Sequence, residues 1–265
     1  MSTHYNDVRE YWNFGPCNIR HSSLPVGSLR YFEEVKKRRY FVEAHIPGFA
    51  EFDRWSGRSV LDLGCGIGTD AIEFALHGAR VTAVDLSAAS LSLTEERANI
   101  YRVNHRVTPI YGNIENLPCS VTGPFDLIYA FGSVHHTPNP RVALNEIRRI
   151  CQPHTTVKLM LYHALSTKAL ALRLRHGPSA RQFSEAQADC PVTHWYTKKE
   201  GIALLEDARF IVTDCRIAHI FPYLVREYRQ HRYVRRFPWN FIQGRSFAWL
   251  ERHFGWHLLI EARPK

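Results

Sequence analysis

The residues best placed to do chemistry stand in one short run. Asp62, Gly64, Gly66 and Gly68 occupy alternate positions of Asp62-Leu63-Gly64-Cys65-Gly66-Ile67-Gly68. Glycines at this spacing remove Cβ atoms, so a ligand can lie against the backbone and φ can turn positive. A helix starting behind them presents free N–H groups. The chemistry this allows is the cradling of a nucleotide. Asp85 stands 17 positions after Gly68, and its two oxygens can accept both hydrogens of a ribose diol. Further on, His135 and His136 offer side chains that titrate near neutrality, as a base or an acceptor-positioning group requires.

These groups need a scaffold, and the pattern supplies one. Apolar runs at 60–63, 80–85, 107–111, 125–130, 156–162, 210–217 and 256–262 read as seven strands. Helical stretches separate them: 69–76, a helix capped by Ser87 and running to about 104, 141–151 with Val142, Leu144, Ile147 and Ile150 on its apolar side, and 198–208. Strands alternating with helices imply right-handed crossovers and a Rossmann-like, doubly wound α/β sheet, mostly parallel. Before the first strand, Thr3 caps a helix through Trp12, and Gly15-Pro16 punctuates a loop over 13–23. Ser28 caps a second helix over about 29–45, which Pro47-Gly48 ends. The expected organisation is one domain over 1–265. Residues 1–55 form an N-terminal helical cover, 56–162 the core, and 163–196 and 218–254 are insertions over the ligand side.

Composition narrows the class. The 265 residues are 45% hydrophobic, enough for a sizeable core. No stretch is long and apolar enough to span a membrane, and the polar start lacks a secretory signal. Six cysteines lie scattered with no C-x-x-C, so no zinc pattern and no metal is expected, and a reduced, cytoplasmic protein is. The net charge of +9 favours an anionic partner. Much of it collects in 222–245, where six arginines face one acid, Glu227. Arg226, Arg229, Arg232 and Arg236 follow helical steps and would share one helix face. The expectation is that Arg226, Arg229 and Arg232 hold an anionic group of a small acceptor.

The glycine loop is not the G-x-G-x-x-G of dinucleotide sites, because Thr69 stands where the third glycine would be. It resembles the first motif, D/E-x-G-x-G-x-G, of the class I S-adenosylmethionine-dependent methyltransferases. Gly112-Asn113-Ile114-Glu115-Asn116-Leu117-Pro118 resembles that family's G-D-A-x-x-L-P, with Asn for Asp. The stretch 125–138, F-D-L-I-Y-A-F-G-S-V-H-H-T-P, is similar to the fourth motif of the small-molecule, ubiquinone/menaquinone-type branch (methyltransferase type 11). The resemblance covers about 60–162 and fades outside it.

It implies a seven-stranded sheet with the last strand antiparallel. It implies S-adenosyl-L-methionine as cofactor and S-adenosyl-L-homocysteine as product. The implied cofactor contacts are Asp62, Gly64, Cys65, Gly66, Gly68, Asp85, Leu86, Asn113, Ile114 and Phe131, with Asn113 and Ile114 at the adenine. His136 and His135 are the implied candidates beside the methyl group. Tyr11, Trp12, Arg20 and His21 from the N-terminal cover, and His194 and Tyr196 from the first insertion, are the expected acceptor contacts. Glu185, His163 and His219 are further candidates. The activity implied is in-line methyl transfer to a small metabolite, with the O-, N- or C-acceptor open. Two alternatives stand beside it. A nucleic-acid methyltransferase is disfavoured because Ala130-Phe131-Gly132-Ser133 replaces [DNS]-P-P-[YF]. A non-catalytic cofactor-binding protein of the same fold would keep the loop and Asp85 without turnover.

Overall fold

The computed structural model describes residues 3–185 and 187–265, with the backbone alone for Thr3 and His4. The expected Thr3 cap therefore lies outside the described side chains. The chain opens with α1 (Thr3–Phe14), α2 (Leu29–Val42) and α3 (His45–Ala50). Ser28 caps α2, its hydroxyl accepting from the Tyr31 N–H, as expected. Pro47 and Gly48 do not end that helix. They lie inside α3, where proline is tolerated because a first-turn N–H has no helical partner to lose.

The core then follows as β1 (Ser59–Leu63), α4 (Thr69–Leu76), β2 (Arg80–Asp85), α5 (Ala88–Ile100), β3 (Val107–Tyr111), β4 (Leu127–Phe131), α6 (Pro140–Ile150) and β5 (Thr156–His163). The remainder is α7 (Thr167–His176), β6 (Trp195–Tyr196), α8 (Lys198–Asp207), β7 (Phe210–Ala218), α9 (Val225–Arg229), α10 (Gly244–Phe254) and β8 (His257–Pro264). The sheet order is β3-β2-β1-β4-β5-β8-β7, with β8 antiparallel to both of its neighbours. The expected architecture is present with one addition. The two-residue β6, from the first insertion, pairs with the end of β5 and makes an eighth strand. Two residues are too short to show a strand period in sequence.

Both faces of the sheet are covered, which is why its central strands read as unbroken apolar runs. Residues alternate between two cores. Val60, Val81, Leu127 and Tyr129 pack with Ala71, Ile72 and Phe74 of α4 and with Phe49, Phe52 and Trp55 of the N-terminal segment. Leu61, Leu63, Ile128 and Ala130 pack with Ala143, Leu144 and Ile147 of α6 and Leu204 and Leu205 of α8. Val142, expected on the buried side of α6, faces outward, and Ala143 takes that place. Truncating one of these leucines to alanine costs about 2–5 kcal/mol. Chain order reverses between β1 and β4, so a crevice opens there at the carboxyl ends of the strands.

Buried charges fasten the cover to the core. Arg97 of α5 is fully buried and donates to the Thr69 hydroxyl at 2.7 Å and to the Phe32 carbonyl at 3.2 Å. It ties the start of α4 to α2. Arg38 lies 3.8 Å above the Tyr228 ring and also donates to the Tyr228 carbonyl, joining α2 to the second insertion. The Tyr11 hydroxyl donates to the Gln187 carbonyl at 2.8 Å, joining α1 to the first insertion.

Candidate active site

The glycine loop fills the crevice between β1 and β4. Gly64 and Cys65 both donate their N–H to the Val84 carbonyl, and the Gly66 N–H donates to Asp85 Oδ2 at 2.8 Å. Asp85 Oδ1 accepts from the Ser87 N–H at 2.8 Å, so the end of β2 holds the loop by its carboxylate. Burial raises the Asp85 pKa, and these amide bonds oppose the rise. All three glycines have positive φ, but they differ in what surrounds them. A Cβ on Gly64 would lie 2.3 Å from the Ser133 Cβ, so β1 and the turn after β4 can cross only with glycine there. A Cβ on Gly68 would meet Thr94 of α5 at 2.8 Å. A Cβ on Gly66 would meet no protein atom within 4 Å. Gly66 is therefore the position where open space, not protein, lies against the backbone.

That space is a cavity of about 310 Å³. Asp62, Gly64, Cys65, Gly66, Asp85, Leu86, Asn113, Ile114, Phe131, His21 and His136 line it, and all were expected in the site. Gly68 does not line it; it packs on α5. Asp62 is almost fully buried, and its Oδ2 has no hydrogen-bond partner among the described residues. An unpartnered buried acceptor is costly and calls for a donor from a ligand. Burial raises the Asp62 pKa well above the usual range, and the nearby Asp70 adds to the rise. Asn113 Oδ1 accepts from the Glu115 N–H at 2.9 Å, which fixes the turn after β3 beside the buried Ile114. A nucleoside with a charged amino-acid tail fits this donor set. Asp85 can accept from a diol, Ile114 offers an apolar face, and Asp62 lacks a donor.

A second set of charges lines the same cavity. Asp70, in the first turn of α4, accepts from Arg39 at 2.8 Å, from the Tyr40 hydroxyl at 2.9 Å and from the Tyr129 hydroxyl at 3.2 Å. Glu185, from the first insertion, puts Oε1 3.4 Å from His136 Nε2. His136 Nδ1 lies 2.9 Å from the Val192 carbonyl, which can only accept, so Nδ1 carries a hydrogen. Burial lowers the His136 pKa, but the Glu185 charge outweighs it and holds the ring up at about 10. Glu185 is held well below the usual carboxylate range: burial raises it, and the His136 charge overcomes that. Trp12 stands edge-on to His136 at 5.2 Å. Lys168 faces the same space, its amine lowered by burial against the pull of Glu185 and Glu43.

Several expectations are corrected. His136 was expected as a base or an acceptor-positioning group; both of its nitrogens are engaged and its pKa is raised, which speaks against the base and leaves the positioning role. His135 is fully buried between His136 and Tyr162, outside the lining, and burial keeps it neutral. Tyr11 joins two cover segments, His194 and Tyr196 stand off the cavity, and Arg20 is exposed. The four arginines of the second insertion do not share one helix face, since α9 is five residues long and holds only Arg226 and Arg229. Arg226, Arg229 and Arg232 are exposed and outside the lining, and Arg232 pairs with Glu227 at 2.6 Å. The insertion sends Tyr228 and Phe221 into the cavity instead.

Sequence reasoning missed Arg39, Glu43, Lys168, Tyr162 and His257, which all line the cavity. The expectation of no metal ligands, drawn from the scattered cysteines, does not address Glu43, His219 and His257, which come together from distant positions. Only the four-residue step from Arg39 on α2 to Glu43 at its C-cap was visible in sequence.

Residues 60–154 match a family described as "Methyltransferase domain". The chain is 31% identical over 149 residues to the ubiquinone biosynthesis O-methyltransferase of Psychrobacter cryohalolentis, covering 54% of this chain and 55% of that one. It is 33% identical over 131 residues to the same-named protein of Alkalilimnicola ehrlichii, covering 49% of each. The chain thus spans about half the length of these relatives. In fold it is similar to geranyl diphosphate C-methyltransferase from Streptomyces coelicolor A3(2), with a TM-score of 0.65 at 15% identity over 100% of this chain and 99% of that one. It is also similar to magnesium protoporphyrin IX methyltransferase from Synechocystis PCC 6803, with a TM-score of 0.62 at 15% identity over 98% and 99%. Residues 60–154 thus match a methyltransferase domain, and the chain as a whole shares the fold of these methyltransferase structures.

Proposed function

We propose that the protein transfers a methyl group from S-adenosyl-L-methionine to a small-molecule acceptor held in the cavity between the glycine loop and the cover. The observation that carries this reading is one continuous lining. Gly66, Asp85 and the unpartnered Asp62 share it with Glu185, His136 and Lys168. In this reading Asp85 holds the ribose hydroxyls, Asn113 and Ile114 hold the adenine, and Asp62 accepts from the ammonium of the methionine part. The cofactor supplies an activated methyl group, so alignment of the acceptor provides most of the acceleration.

The chain's part is positioning. His136, as an imidazolium, fixes Glu185 through Nε2, and the carboxylate accepts a hydrogen bond from the acceptor's hydroxyl or amino group. A carboxylate of so low a pKa is a weak base, so it orients the acceptor rather than stripping its proton. Trp12, Tyr228 and Trp256 enclose the acceptor in a cover drawn from three parts of the chain. A pocket of this volume, walled by three parts of the chain, suits a metabolite better than a polymer strand. Its lining carries Glu43, Asp62, Asp70, Asp85 and Glu185 against Arg39, Lys168 and the charged His136, so it has no cationic excess to ask for an anionic acceptor.

The test is a titration with S-adenosyl-L-homocysteine followed by a screen of hydroxylated and amino metabolites for methyl transfer. Micromolar binding and turnover of at least one small acceptor are expected. Failure of the cofactor product to bind would overturn the reading, as would methylation of RNA in preference to every small acceptor.

A further inference from the structure

Three side chains with no part in cofactor binding converge at the inner wall of the cavity. Glu43 stands just past the end of α2, His219 just past the end of β7, and His257 opens β8. One ligand atom from each lies within 4.8 Å of the others. Glu43 Oε1 is 3.7 Å from His257 Nε2. The His219 and His257 rings are 4.5 Å apart and tilted by 32°. Both histidines are buried, and all three residues line the cavity.

The outer nitrogen of the His257 ring is occupied: His257 Nδ1 is 3.0 Å from His45 Nε2. That ring is thus oriented by an outer partner and turns Nε2 towards Glu43, as metal-ligating histidines do. The His219 ring stands beside both, its centre 5.6 Å from that of His45. The separation of His257 Nε2 from Glu43 Oε1 exceeds a hydrogen bond, and it is close to the edge of a zinc coordination tetrahedron, about 3.4 Å for ligand bonds of about 2.1 Å. His219 has a left-handed backbone, φ 71°, a conformation uncommon outside glycine that clusters at functional sites. Two cations lie nearby. Arg39 is 3.7 Å from the other Glu43 oxygen, but Asp70 matches its charge at 2.8 Å; Lys168 faces Glu185 as well as Glu43. Glu43 Oε1 is therefore left for a further cation.

We propose that Glu43, His219 and His257 bind one divalent transition-metal ion of the zinc class, with His45 positioning His257. Two imidazoles and one carboxylate favour zinc, cobalt, nickel or iron over magnesium, which takes oxygen ligands. Three protein ligands leave a coordination position open towards the cavity. An oxygen or nitrogen atom of the acceptor fills that position. This last step rests on the function proposed above, whereas ion binding does not.

The test uses the whole chain, stripped with a chelator and titrated with Zn²⁺ and Co²⁺. One ion per chain is expected, with visible Co²⁺ bands of a low-coordinate site and no competition from Mg²⁺. His219→Ala and His257→Ala should each weaken Zn²⁺ at least 100-fold, and His45→Ala about 10–100-fold. Binding of S-adenosyl-L-homocysteine reports that the variants fold. Should they not fold, Cu²⁺ on the unaltered protein serves, where coupling to two imidazole nitrogens is expected. Stoichiometric Zn²⁺ binding retained in the folded double variant would overturn the proposal. So would a Cu²⁺ spectrum without two imidazoles. Metal binding without methyl transfer would leave the ion site standing and sink the proposed function alone.

Discussion

His136 Nε2 stands 3.4 Å from Glu185 Oε1, and this one contact joins the turn after β4 to the first insertion. It determines how the site responds to pH. The His136 pKa is raised from its ordinary value of 6.5 to about 10, so its contribution to stability is fully present below pH 6.5 and is lost as pH rises through about 10. The Glu185 pKa is depressed, so its contribution is present above pH 4.5 and is lost as pH falls below that value. The pair therefore supports the fold most fully between about pH 4.5 and 6.5. Thermal unfolding followed from pH 5 to pH 10.5 should show the unaltered protein losing an advantage over the Glu185→Gln variant above pH 6.5. An advantage constant across that range would refute the ion pair.

For catalysis the same contact predicts a positioning role. His136→Ala should lower kcat about 10- to 100-fold while S-adenosyl-L-homocysteine affinity changes little. If His136 were instead the base, the parent protein's rate would rise with pH through an ionisation near neutrality. We expect no such limb between pH 6 and 8.

Gly64 and Gly66 should fail in opposite ways. Gly64→Ala meets Ser133 and a left-handed φ together, and should lose about 2–5 kcal/mol of stability. Gly66→Ala meets only the φ cost, about 1–2 kcal/mol, but its methyl enters the cavity. It should weaken the cofactor product more than it lowers the melting temperature. Calorimetric titration and thermal unfolding of the two variants separate these effects, and equal profiles would contradict the distinction.

Asp85 holds two backbone amides as well as facing the cavity, so its removal should show twice. Asp85→Ala should weaken S-adenosyl-L-homocysteine at least tenfold, from the loss of charge-assisted hydrogen bonds worth about 1.5–3 kcal/mol each. Asp85→Asn keeps one acceptor oxygen and should fall between. Unchanged affinity in the alanine variant would remove Asp85 from the cofactor site.

The triple substitution of Arg226, Arg229 and Arg232 by glutamine should leave both cofactor affinity and the Michaelis constant for the acceptor within about twofold, because exposed arginines outside the lining contribute little. Tyr228→Ala, by contrast, removes a ring that Arg38 covers inside the cavity, and should raise that Michaelis constant severalfold. A large effect from the triple variant would return the acceptor site to the basic stretch.

The sequence by itself determined the sheet, the glycine loop and the carboxylate at the end of β2. Their signals are local. A buried parallel strand is an apolar run, a tight turn against a ligand needs glycine, and Asp85 follows at a distance set by one helix and one strand. The cavity lining proposed for the cofactor was largely legible for the same reason, since most of those residues sit at strand ends that periodicity locates. Only the tertiary structure decided which side chains meet across the cavity. His136 reads as a base until Glu185, 49 positions away, is seen to hold its proton. The arginines of 222–245 have helical spacing, yet the chain turns after five helical residues and sends tyrosine inward. Glu43, His219 and His257 carry no shared motif at all, because β7 and β8 bring them together through antiparallel pairing and α2 reaches them from the far end of the chain. Contacts between distant segments depend on how elements pack, and no period or spacing along a single chain records that packing.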